Sequence, residues 1–148
     1  MGREQGRWGL DVRIHDAAVG GAGKDRGLSH TVLVVEDEPD ILLAARVMLE
    51  AEGYSVIEAP GGREALAVAS ETRVDAVLLD LRMPGIDGWA VLEELCSKRA
   101  SSRLPVVVLS AHPDPSAVER SIELGARGYV RKPFRAADLK RALGAVLT

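Results

Sequence analysis

Three acidic side chains, a serine and a lysine carry the chemistry this sequence offers. Glu36 and Asp37 follow the apolar run Thr31–Val35, Asp80 ends the run at 76–79, Ser110 ends that at 106–109, and Lys132, backed by Pro133, follows 128–130. Like charges brought together are unfavourable unless they are protonated or neutralised, and a hard divalent cation with oxygen ligands is the usual remedy. Magnesium suits the set, because it takes one or two carboxylates, keeps several waters and leaves a position for a phosphoryl oxygen. A carboxylate held against such an ion can attack phosphorus and form an acyl phosphate. Lys132 supplies a compact positive charge for a phosphoryl oxygen, and Ser110 a hydroxyl donor. Each residue alone has a plainer explanation: a charged loop entering a helix, a turn aspartate, a common serine after a strand, a surface lysine. Only their convergence makes a site.

Convergence requires a particular framework. The runs Thr31–Val35, 54–59, 76–79, 106–109 and 128–130 are short and apolar enough to be strands buried on both faces. Stretches with helical spacing lie between them. Pro39 suits the first turn of one helix and Gly53 its stop; others begin near Gly62, Asp87, Asp114 and Arg135. Strict alternation of strand and helix implies a parallel sheet with helices on both faces, a doubly wound α/β fold with five strands in the order 2-1-3-4-5. In such folds the functional crevice lies beyond the carboxyl ends of the strands, and four of the five ends carry the polar residues above.

Residues 1–30 read as a flexible N-terminal extension and 31–148 as the folded domain. Seven of the fifteen glycines fall in the extension, which shows no sustained apolar period. Trp8, Leu10, Val12 and Ile14 could form a short strand or docking segment within it, but the composition favours a tail. The 148 residues, 47% hydrophobic, fit one domain, and 19 basic against 22 acidic side chains leave no basic field for nucleic acid. A lone cysteine, Cys96, excludes an intrachain disulfide and a cysteine-based zinc site and reads as packing. The longest apolar runs are far short of the roughly 20 residues that span a bilayer. A cytoplasmic protein without membrane contact is therefore expected.

As a set, Val34-Val35-Glu36-Asp37-Glu38-Pro39-Asp40, Leu78-Leu79-Asp80-Leu81-Arg82-Met83-Pro84-Gly85-Ile86-Asp87-Gly88, Val108-Leu109-Ser110-Ala111 and Gly128-Tyr129-Val130-Arg131-Lys132-Pro133-Phe134 resemble the receiver domain of bacterial response regulators. The resemblance runs from about Thr31 to the C-terminus. It implies that Asp80 is the phosphoacceptor, Asp37 a direct Mg2+ ligand and Glu36 an acidic partner acting mainly through water. The backbone carbonyl of Arg82 completes the protein ligands, and Mn2+ can substitute. Lys132 pairs with the phosphoryl group, Ser110 is the switch hydroxyl and Tyr129 the switch aromatic. Arg82 and His112 border the path of the hydrolytic water and so modulate the lifetime of the phosphorylated state.

The resemblance also implies a phosphorylation-dependent switch in a two-component system or phosphorelay, not an enzyme acting on outside substrates. Its partners would be a sensor histidine kinase or histidine phosphotransfer protein, a downstream protein target, and a second copy of the chain on phosphorylation. The signalling face would combine the fourth helix, fifth strand and fifth helix. Three rivals remain. A magnesium-dependent aspartyl-phosphate phosphohydrolase needs a second acid near the nucleophile, where this chain has Arg82. A flavodoxin-type domain would not place acids where flavin phosphate binds. A receiver-like interaction module that is never phosphorylated would have no need of the full residue set.

Overall fold

The computed structural model describes residues 2–3, 12–15, 30–83, 86–98, 104–111 and 114–147. Five parallel strands, β3 (Thr31–Val35), β4 (Ser55–Ala59), β5 (Ala76–Asp80), β8 (Val106–Ser110) and β9 (Gly128–Arg131), lie in the order β4-β3-β5-β8-β9. That is the expected 2-1-3-4-5 arrangement. The helices α1 (Pro39–Ala51), α2 (Gly62–Glu71), α3 (Gly88–Lys98), α4 (Pro115–Glu123) and α5 (Ala136–Leu147) alternate with them.

Successive strand residues face opposite sides, so the sheet builds two cores. Leu33, Val35, Val77, Leu79 and Val108 pack with α2 and α3, whereas Val32, Val34, Leu78, Val107 and Leu109 pack with α1 and α5. Helix ends follow local chemistry. Asp87 Oδ1 accepts from the Trp89 amide at 2.9 Å and Asp114 Oδ1 from that of Ala117 at 2.9 Å, so both aspartates cap. Gly53 and Gly125, with φ of 93° and 117°, take the left-handed turn that stops α1 and α4.

The expectation of a flexible extension needs correction where it can be compared. Two further strands, β1 (Gly2–Arg3) and β2 (Arg13–His15), add antiparallel to the outer edge of β4, making seven strands. The reason is alternation over four residues, too short to stand out against a glycine-rich background. Val12 is fully buried and Ile14 packs beside it on the α2 side, while Arg13 and His15 face Glu58 of β4 at 4.0 and 3.7 Å. Glu58, buried in β4 between β2 and β3, also accepts from Arg46 Nε at 3.1 Å. A short antiparallel ribbon formed by β6 (Arg82–Met83) and β7 (Ile86–Asp87) completes the described elements.

Candidate functional site

The carboxyl ends of β3 and β5 are neighbours because these strands pair in parallel, Val35 opposite Leu79. Their next residues therefore meet. One carboxylate oxygen from each of Glu36, Asp37 and Asp80 lies within 4.8 Å of the others. Glu36 is fully buried and Asp80 nearly so, whereas Asp37 is half-buried toward the opening. From the end of β9, Lys132 reaches across, its Nζ 3.0 Å from Glu36 Oε1 and 3.3 Å from Asp80 Oδ2. Its own backbone is fixed by donation to the Ser110 carbonyl at 2.8 Å, and the Lys132–Pro133 peptide is cis.

Backbone donors hold the carboxylates from below. The Arg82 amide donates to Asp80 Oδ1 at 3.0 Å, and the Glu38 amide to Glu36 Oε2 at 3.2 Å. Burial pushes Glu36 up to about 7, against the bond from Lys132 and with help from the charge of Asp80. The same burial disfavours the Lys132 ammonium, but the Glu36 bond and the charges of Asp80 and Glu36 outweigh it and hold its pKa above the ordinary lysine value. This donor set, oxygen-only, acidic and short of positive charge, fits a hard divalent cation.

Ser110 is buried at the end of β8, beside the crevice. Tyr129, in β9, is half-buried against the α3 side of the core, and its hydroxyl is buried without a hydrogen-bond partner among the described residues. Tyr129 thus already points its hydroxyl inward, and with Leu81, Ser110 and Trp89 it lines a cavity of about 290 Å³. Arg82 is exposed at the mouth of that cavity. His112 lies outside the described residues.

Two contributors escaped the sequence reading. Gly88 opens α3 so close to the chain after Asp80 that any Cβ would overlap the Leu81 backbone. Its place in the Asp87-Gly88 pair could have signalled a close approach. Trp89, in the first turn of the helix that begins near Asp87, lines the cavity and carries the Arg120 guanidinium over its ring at 4.3 Å. No spacing rule links these two positions across separate helices.

Known proteins share this arrangement. The profile of the response regulator receiver domain matches residues 32–144. The transcriptional regulatory protein KdpE of Mycobacterium tuberculosis is 46% identical over 103 residues, covering 70% of this chain and 44% of KdpE. The chain spans about half the length of the curated relatives it matches. Among solved structures, the chemotaxis protein CheY4 of Vibrio cholerae aligns with a TM-score of 0.76 at 30% identity, over 80% of this chain and 99% of CheY4. The receiver domain of a Pseudomonas aeruginosa sensor histidine kinase, solved with magnesium coordinated in its active-site cleft, aligns at 0.73 and 31% identity, over 80% and 98%. With the strand order, the acidic cluster and these likenesses together, the chain belongs to the response regulator receiver domains, the phosphorylation-dependent switches of two-component signalling.

Proposed function

We propose that Asp80 is the phosphoacceptor of this receiver, and that Glu36, Asp37, Asp80 and the Arg82 carbonyl hold Mg2+, with Mn2+ able to substitute. The observation that carries the reading is Lys132 Nζ, set between the buried carboxylates of Glu36 and Asp80 and so facing the place where a phosphoryl oxygen would sit. When bound, the ion supplies charge neutralisation on the attacking carboxylate and the phosphoryl oxygens. An Asp80 oxygen forms the bond to phosphorus, and the donor's bond to phosphorus breaks, its electron pair leaving with the donor. Lys132 then pairs with a phosphoryl oxygen, and Ser110 donates to another.

The aspartyl phosphate carries about 1.5 to 2 negative charges where the carboxylate carried one, and it presents them on phosphoryl oxygens. That charge draws Ser110 and Lys132 toward Asp80 and locks the already inward Tyr129 against its outward pose, so the face of α4, β9 and α5 is held in one arrangement. Ligation shifts such an equilibrium only through differential affinity, and the contacts of Ser110 and Lys132 supply the difference. On this reading the chain catalyses only its own phosphorylation and dephosphorylation, with Arg82 and His112 setting the lifetime of the acyl phosphate.

A sensor histidine kinase or histidine phosphotransfer protein donates the phosphoryl group, and a protein target, or a second copy of the chain, reads the altered face. Arg127, Arg131, Arg135 and Arg141 line a cleft along β9 and α5 that would meet such a partner. KdpE is named a transcriptional regulator and MtrA of Mycolicibacterium smegmatis a DNA-binding response regulator, but this chain matches less than half of either, and we assign it no contact with nucleic acid.

Incubation with magnesium and acetyl phosphate, followed by intact mass measurement, tests the assignment. The parent should gain one acid-labile phosphoryl group that Asp80→Asn does not. Equal labelling of the variant, or none of the parent, defeats it.

A further inference from the structure

Helix α4 is thinly packed. It fully buries no apolar side chain, Ser121 being its one buried residue, and Ile122 stands 57% exposed. An element with so few buried contacts is easily displaced. On the side of the phosphorylation loop, however, it is joined to α3 by Arg120, whose guanidinium carbon stacks 4.3 Å from the centre of the Trp89 ring. Trp89 occupies the first turn of α3, and that turn is itself pressed against the Leu81 backbone. The stack therefore links the loosest helix to the segment that carries Asp80.

Trp89 and Arg120 also wall the cavity on which Ser110 and Tyr129 border. The inward Tyr129 buries its hydroxyl without a partner, which is unfavourable and brings an outward pose within reach. Holding the cavity wall shut opposes that tendency. We infer that Arg120 and Trp89 form a clasp between α4 and α3 that keeps Tyr129 inward, and that Arg120 is thereby a positioning residue for the Ser110–Tyr129 switch. The inference rests on the proposed role of Asp80 and adds an element outside its site. A cation–π contact at a partly exposed position changes a two-state equilibrium by roughly 2- to 5-fold. Such a change is too small to abolish switching and large enough to set its threshold.

The test is a double-mutant cycle read by calorimetry, in which beryllium trifluoride, a phosphoryl mimic that needs no donor, is titrated into the full chain with saturating magnesium. Arg120→Gln and Trp89→Leu should each weaken binding by roughly 2- to 5-fold, and Arg120→Lys, which keeps the cation, should bind nearly as the parent does. In a Tyr129→Ala background, Arg120→Gln should have no effect, because there is no ring left to hold. Unchanged affinity for Arg120→Gln beside Tyr129, or the same loss with and without Tyr129, overturns the clasp. Failure of the parent itself to bind the mimic overturns instead the phosphoacceptor reading on which the clasp depends.

Discussion

Lys132 separates two carboxylates that would otherwise face each other as buried like charges, and this gives it two opposed effects on the site. Its ammonium competes with a divalent cation for Glu36 and Asp80, yet it would stabilise the phosphoryl group once transferred. Lys132→Met should therefore bind Mg2+ at least as tightly as the parent in a calorimetric titration, while its acyl phosphate level at fixed acetyl phosphate falls about tenfold or more, since a charge-assisted hydrogen bond is worth about 1.5–3 kcal/mol. Parallel loss of both properties would mean that Lys132 only supports the fold. That Glu36, Asp37, Asp80 and Lys132 come together was legible because they follow apolar runs whose strand order sets their ends side by side. That Lys132 bonds the fully buried Glu36 more closely than Asp80 was not legible, because side-chain reach across two strands has no sequence period.

At the scale of elements, two close approaches make separate claims. The first is β2, whose Val12 is sealed into the core beneath α2. Val12→Ala removes two buried carbons and should cost about 1.5 kcal/mol, lowering the thermal midpoint by about 3–6 °C; an unchanged midpoint would argue that β2 does not pack in solution. The second is the start of α3. Gly88→Ala should destabilise by about 1–3 kcal/mol and slow labelling of Asp80, because the Leu81 backbone must give way. Gly144→Ala in α5, with open space around its Cβ, is the control and should be neutral or stabilising in the same melting experiment. The five parallel strands and five helices were readable from period and punctuation, and the capping aspartates 87 and 114 fell at the expected starts. The added β2 was readable only as an alternative, a short strand around Val12 and Ile14, because its four-residue alternation is weak and what holds it is tertiary pairing with β4 and Glu58.

For the molecule as a whole, ion binding and folding are linked. Three carboxylates within 4.8 Å of one another burden the folded state and not the dispersed chain, so a cation that binds them stabilises the fold. Magnesium at about 100 times its dissociation constant should add about 2.7 kcal/mol, read as a rise of about 5–11 °C in the melting midpoint. Asp37→Asn should lose most of that rise; retention of the full shift would place the ion elsewhere. Among the described residues no helix is long and apolar enough to cross a membrane.

The absence of room at Gly88 has a mechanical consequence. With its first turn pressed on the backbone that follows Asp80, α3 cannot be displaced without carrying the phosphoacceptor loop along with it. The α4 side, which buries only a serine, is held by the stack of Arg120 on Trp89 rather than by backbone pressed on backbone. The molecule is thus a vice with one fixed jaw and one sliding jaw: the reacting residues are bolted to the first, and travel available for output belongs to the second.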